Sequence, residues 1–261
     1  MTANGKRREA RATPLTEKPF LDHVDDLRRA LLRSGASLLV GMALVAPLAP
    51  QIFQWLQAPL AEAGVDPDGF LRTIDVGGAL SLVLRVVFWG GLLVSAPFIV
   101  LFLGAFVAPG LTRSERRIAV QALAPAVVLF GIGVALGYGV TLPVALRIML
   151  RLHGWMGIRP EWVVTSYTAF ALQLLLAFGL AFQLPVVVLI LGRLGIVQAQ
   201  GLRRARPYVM VGLLILAMIV TPPDVVTQLL MAAPLIAMYE GCIAIVALGE
   251  RRKARHEEDP G

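Results

Sequence analysis

Apolar residues run in six long blocks along the chain, most of them near the roughly 20 residues that an α-helix needs to cross a hydrocarbon core. The blocks fall at about 31–54, 79–106, 119–142, 168–191, 208–221 and 225–248, which predicts six transmembrane helices. Polar residues collect between the blocks and at the ends. Residues 1–28 form a polar tail and amphipathic entry, 29–249 the membrane domain and 250–261 a second tail. Pro47, Pro50, Pro97, Pro125, Pro185 and Pro234 interrupt the apolar blocks. An interior proline removes a backbone hydrogen bond and kinks the helix, so the expected architecture is an all-α, curved, cup-like bundle. The chain has no detectable internal repeat, which speaks against a transporter of the inverted-repeat type.

Composition agrees with a membrane protein. The chain is 57% hydrophobic and 16% charged, with a mean hydropathy of +0.74, whereas soluble domains carry about 25% charged residues. A net charge of +7 over 261 residues raises the question of nucleic acid, but the basic residues sit in short blocks between apolar runs. Nineteen Lys and Arg lie in the two tails and the loops after the second and fourth runs; four (Arg72, Arg147, Arg151 and Arg159) lie in the opposite loops, and Arg85 is inside the second run. That asymmetry predicts both termini in the cytoplasm and no nucleic-acid partner. The polar first 28 residues and the long run after them do not resemble a cleavable signal peptide. One cysteine, Cys242, and three dispersed histidines predict neither a disulfide framework nor a metal site. No cofactor is expected.

The fifth run is short. Pro207 and Pro222 leave at most 14 residues between them, about 21 Å at 1.5 Å per residue, against a core about 30 Å thick. The turn that follows, "TPPDVVTQ", would then carry Thr221, Asp224, Thr227 and Gln228 to membrane depth. Two readings are open: a hairpin at a thinned bilayer edge, or a polar notch that receives a polar group from a partner's helix. Glu240 and Gln183 are the other polar groups inside runs. Charge within a span is costly, so Glu240 either lines a water-filled groove or is protonated or paired; Gln183 either bonds a carbonyl freed by Pro185 or lines the same concavity. Those intramembrane groups would also be the pathway residues of the competing class, a small-solute transporter or channel.

No nucleophile, metal or nucleotide motif occurs, so no enzyme is expected. The segment "FLDHVDDLRRALLRSG" poses a different question. Its Asp22, Asp25 and Asp26 fall in the first turns of the first helix, where carboxylates favour the positive dipole end. Glu115, in "TRSERR", is a second acidic point on the same side. Two such carboxylates at the mouths of two helices would equally hold a ligand with adjacent guanidinium groups, through bidentate bonds that lysine does not reproduce.

In order and spacing, "FLDHVDDLRRALL", "SAPFIVLFLGAFVAPGLTRSERR", "GYGVTLPVAL", "FGLAFQLPVV" and "RRARPYVMVGLLILAMIVTPPDVVTQLLMAAPLIAMYE" resemble the TatC family, the core subunits of the twin-arginine protein translocase. The resemblance covers about residues 20–248. It implies a multi-pass protein of the bacterial cytoplasmic membrane, a receptor for folded precursors whose signal peptides carry consecutive arginines. It further implies single-span TatA and TatB partners, self-association, and transport driven by the proton-motive force without ATP. Carried over by motif, His23, Asp26 and Arg28 occupy the family's H-x-x-E-L-R, with aspartate for glutamate, and Asp26 and Glu115 would clasp the arginine pair. Thr221 and Gln228 match the partner-helix docking site, which Met218 and Asp224 complete; Pro59, Tyr138 and Pro143 match structural positions. Gln183 replaces a common glutamate, and Leu101, Phe102, Leu103 and Gly104 replace the usual Y-Q-x-W.

Overall fold

The computed structural model describes residues 20–107, 123–193, 197–220 and 225–258. Almost all of them are helical. The first apolar run is divided: α1 (Phe20–Val45) gives way to a single 3-10 turn, Ala46–Leu48, and α2 (Ala49–Glu62) follows. Pro47 and Pro50 enforce that division, because neither can donate to the turn before it. A one-turn helix, α3 (Pro67–Phe70), is capped by the Asp66 carboxylate, which accepts the Asp68 amide at 3.3 Å. It leads into β1 (Leu71–Arg72) and the long α4 (Gly78–Val107).

After α5 (Leu123–Leu136) the chain makes a π-turn, Gly137–Thr141, in which the Leu142 amide reaches back five residues to the Gly137 carbonyl. This wider turn brings buried Pro143 into the first turn of α6 (Leu142–Trp155), where its missing N–H costs least. Next come β2 (Trp162–Val163), α7 (Val164–Ala181), α8 (Leu184–Arg193), α9 (Ala199–Val220) and α10 (Val225–Glu258). The strands are two residues each and pair in parallel, Leu71 with Trp162 and Arg72 with Val163, so they join the two loops at the end of the bundle away from the N-terminus.

α7 is the axis of the bundle. It is apolar on every side, and an all-round apolar helix belongs in an interior; Ala171, Leu172, Leu174, Leu175 and Phe178 are all buried. α4 and α5 pack on it from different sides, and α1 packs on α4. The core of Leu56, Leu60, Leu142, Leu146, Leu172 and Phe178 is assembled where α2, α6 and α7 converge. Tyr167 locks that junction by donating to the Leu56 carbonyl at 2.5 Å. A second cluster, Ala199, Leu202, Tyr239, Ile243 and Val246, joins α9 to α10. Leu31, Leu39, Val40, Leu44, Leu80 and Val128 point outward, as expected of side chains that lipid covers.

Five stretches are long and apolar enough to cross a membrane among the described residues: Val24–Glu62, Gly78–Gly104, Ala124–Trp155, Val164–Gly192 and Ala232–Arg251. The fifth sequence run differs from expectation at its start. Pro207 does not bound its helix but lies inside α9, which begins eight residues earlier at Ala199 and is 22 residues long. The first turns of α9 carry Arg203, Arg204 and Arg206, so its apolar part still begins at Tyr208. The prolines also act unequally. Helical bonding breaks at Pro47 and Pro50 and just before Pro185, whereas Pro97 and Pro234 lie in uninterrupted helices, as membrane helices allow.

Glycine sets the closest approach. A Cβ on Gly41 of α1 would meet the Gly91 carbonyl of α4 at 2.6 Å, and one on Gly91 would meet the backbone of Met42 at 2.8 Å. Gly91→Val therefore has to push α1 and α4 apart, and overpacking of this kind costs about 1–3 kcal/mol. Gly35→Val, at a position with nothing within 4 Å of a Cβ, is the control. Thermal unfolding in detergent is expected to show a clear drop for the first variant and little change for the second.

Candidate functional site

The residues singled out by sequence fall into three regions. The first is the start of α1. Asp26 lies on its second turn and is half-buried, while Asp25, Arg28 and Arg29 are exposed. His23 belongs to the first turn of the same helix. Glu115 lies outside the described residues, so the Asp26 half of the expected clasp has a position and the other half does not.

The second region is the α9–α10 hairpin. Gln228, on the first turn of α10, donates from Nε2 to the Leu214 carbonyl of α9 at 2.9 Å and ties the two helices together. Met218 is exposed on the last turns of α9. Thr221 and Asp224 lie outside the described residues.

The third region is the polar pair within the spans, and here the structure decides between open alternatives. Gln183 is 5% exposed, and its Nε2 donates to the Ala126 carbonyl of α5 at 3.0 Å. The acceptor is therefore on another helix, not a carbonyl freed by Pro185. Glu240 is paired: its carboxylate meets the Arg206 guanidinium of α9 at 2.5 Å, with the two side chains 39% and 41% exposed. Gln183 and Glu240 are thus engaged by different helices.

Two more bonds brace the Arg206–Glu240 contact. Tyr239 donates to the Leu202 carbonyl at 2.9 Å. The Glu250 carboxylate accepts the Ala199 amide at 2.9 Å, satisfying an N–H at the start of α9 that has no partner within its own helix. Sequence reading flagged Glu240 but missed Arg206 as its partner. A signal existed, since a lone acid in one span and an arginine at the mouth of the preceding helix are chemically complementary, but they lie 34 positions apart.

The structural positions are specific in what they do. Tyr138 stacks on Trp55, ring centroids 3.8 Å apart, and donates to the Trp55 carbonyl at 2.8 Å. Pro59 is buried within α2, and its carbonyl receives the Ala63 amide that closes the helix. An apolar cavity of about 470 Å³ opens between α2, α4 and α5, lined by Trp55, Leu93, Pro97, Phe130, Val134 and Tyr138. It has room for apolar groups but no group for proton transfer or nucleophilic attack.

The TatC family model, described as "Sec-independent protein translocase protein (TatC)", matches residues 22–234. The chain belongs to the TatC family. Among its relatives, the Sec-independent protein translocase protein TatC of Escherichia coli (strain K12) is 33% identical over 223 residues, 85% of this chain and 86% of that one. The protein of the same name from Deinococcus radiodurans is 35% identical over 230 residues, covering 87% and 84%. A crystal structure described as the twin arginine translocase receptor TatC superposes with a TM-score of 0.75 at 30% identity, covering 87% of this chain and 98% of that one. The TatC family is one of membrane protein-translocase components, and the match begins at Asp22, inside the acidic cluster.

Gln183→Leu removes the side-chain bond from the α7–α8 turn to α5. A side-chain bond between membrane helices contributes roughly 0.6–2 kcal/mol, so unfolding in detergent is expected to shift by that amount. A double-mutant cycle of Arg206→Gln and Glu240→Gln is expected to give a smaller coupling of about 0.2–1 kcal/mol, because both groups are partly exposed.

Proposed function

We propose that this chain is the receptor and core subunit of a twin-arginine translocase. In this reading six helices cross the bacterial cytoplasmic membrane with both termini in the cytoplasm, the side richer in Lys and Arg. Asp26 and Glu115 take the two consecutive arginines of a precursor's signal peptide, with His23 and Arg28 flanking the site. The α9–α10 hairpin, through Met218, Thr221, Asp224 and Gln228, docks the transmembrane helices of single-span TatA and TatB partners. Transport of the folded precursor draws on the proton-motive force.

Membership of the TatC family over residues 22–234 is the observation that carries this reading. The chemistry of the acidic pair supports it. Two carboxylates suit two neighbouring guanidinium groups, each able to form a planar, two-bond fork. Of the pathway groups that a small-solute alternative would use, Gln183 is bonded to Ala126 and Glu240 to Arg206, and Asp224 lies outside the described residues.

Export of a folded reporter behind a twin-arginine signal tests the clasp. Asp26→Ala and Glu115→Ala are each expected to abolish export while the protein still inserts into the membrane. Wild-type export by both single variants and by the double variant would refute it.

A further inference from the structure

Arg85 is the one basic residue inside the second apolar run that the translocase reading leaves unused. It lies seven residues into α4, within the Gly78–Gly104 stretch suited to crossing a membrane; seven residues are about 10 Å along the helix axis. An arginine at that depth is unfavourable unless it extends toward the interface or meets an anion. Arg85 lines a small cleft of about 80 Å³ with Thr73, Asp75, Ser81 and Thr165, where the loop before α4 meets the start of α7. The cleft lies at the end of the bundle joined by β1 and β2. Thr73 packs directly onto Gly78, leaving no room for a side chain there.

The cleft offers one cation and one anion. Neither Arg85 nor Asp75 is in an ion pair among the described residues. Asp75 and Arg85 bring opposite charges to one polar cleft with no ion pair between them, so a ligand carrying the complementary pair can meet both. Beside the cleft, Leu84 and Phe88 continue along α4 toward the bilayer centre and are 58% and 42% exposed.

The geometry points to a binding site for the headgroup of a zwitterionic phospholipid of the phosphatidylethanolamine class. The phosphate meets the Arg85 fork, a charge-assisted contact that suits guanidinium. The primary ammonium donates to the Asp75 carboxylate, with the hydroxyls of Thr73, Ser81 and Thr165 around them. The acyl chains run down the surface formed by Leu84 and Phe88. Phosphatidylcholine has a cation that cannot donate a hydrogen bond, and phosphatidylglycerol has none to set against Asp75, so both fit less well.

Native mass spectrometry of the full-length protein in detergent tests this, with all three lipids at matched acyl chains. Wild type is expected to retain phosphatidylethanolamine at least about tenfold over the other two. Arg85→Gln is expected to lose that retention, Arg85→Lys to keep part of it, and Asp75→Asn to hold phosphatidylethanolamine and phosphatidylglycerol alike. Equal retention of all three lipids by wild type, or unchanged selectivity in Asp75→Asn, would overturn the proposal. If Arg85→Gln fails to fold, judged by elution and unfolding in detergent, the Asp75→Asn result decides alone. Soluble glycerophosphoethanolamine is expected not to displace the lipid; displacement at equal concentration would assign the cleft to a soluble ligand and refute the lipid site.

Discussion

The bundle depends on how closely its helices approach one another. Between membrane helices, lipid removes most of the hydrophobic drive for association, and packing of small residues takes its place. Gly41 and Gly91 bring α1 and α4 into backbone contact. Gly133 and Gly179 do the same for α5 and α7: a Cβ on Gly133 would meet the Phe178 carbonyl at 2.7 Å, and one on Gly179 the Phe130 ring at 2.5 Å. These two crossings place α1, α4, α7 and α5 in one continuous contact series. With α7 at its centre, they fix where the start of α1 and the mouths of the other helices lie.

Elsewhere polar bonds add to the apolar packing. α9 is held to α10 by Arg206–Glu240, Tyr239 to Leu202, Glu250 to Ala199 and Gln228 to Leu214. Gln183 fastens the α7–α8 turn to α5. Polar groups within spans therefore serve the assembly of this protein's own helices. In the proposed receptor role, recognition falls to the ends of the bundle, where charged groups such as Asp25, Arg28 and Arg29 are exposed. That division suits a receptor whose ligand arrives at the membrane surface.

Much of this was legible in the sequence because hydrophobic runs and prolines act locally. The apolar blocks locate the helices, and Pro47, Pro50 and Pro185 mark breaks that the structure contains. What was not legible depends on distant partners. Nothing near Pro207 reveals that α9 continues back to Ala199, because the stabilising contact comes from Glu250, 51 residues away. Gln183 stands out in the sequence as a polar group inside a run with two readings open, and its acceptor on α5 follows only from the folded bundle. Tyr138 and Pro143 in "GYGVTLP" stand out only as structural positions, and the π-turn at Gly137–Thr141 and the contact of Tyr138 with Trp55 emerge only in the folded chain.

The central claim is that carboxylates at the cytoplasmic helix ends read a pair of arginines. The most direct measurement is binding of a labelled signal peptide to the purified, detergent-solubilised protein, with Arg-Arg compared against Lys-Lys. The account predicts tighter binding of Arg-Arg and loss of that preference in Asp26→Ala and in Glu115→Ala. Equal affinity for the two peptides, or a preference that survives both substitutions, would contradict it and leave the aspartates as charges that merely complement the dipole of α1.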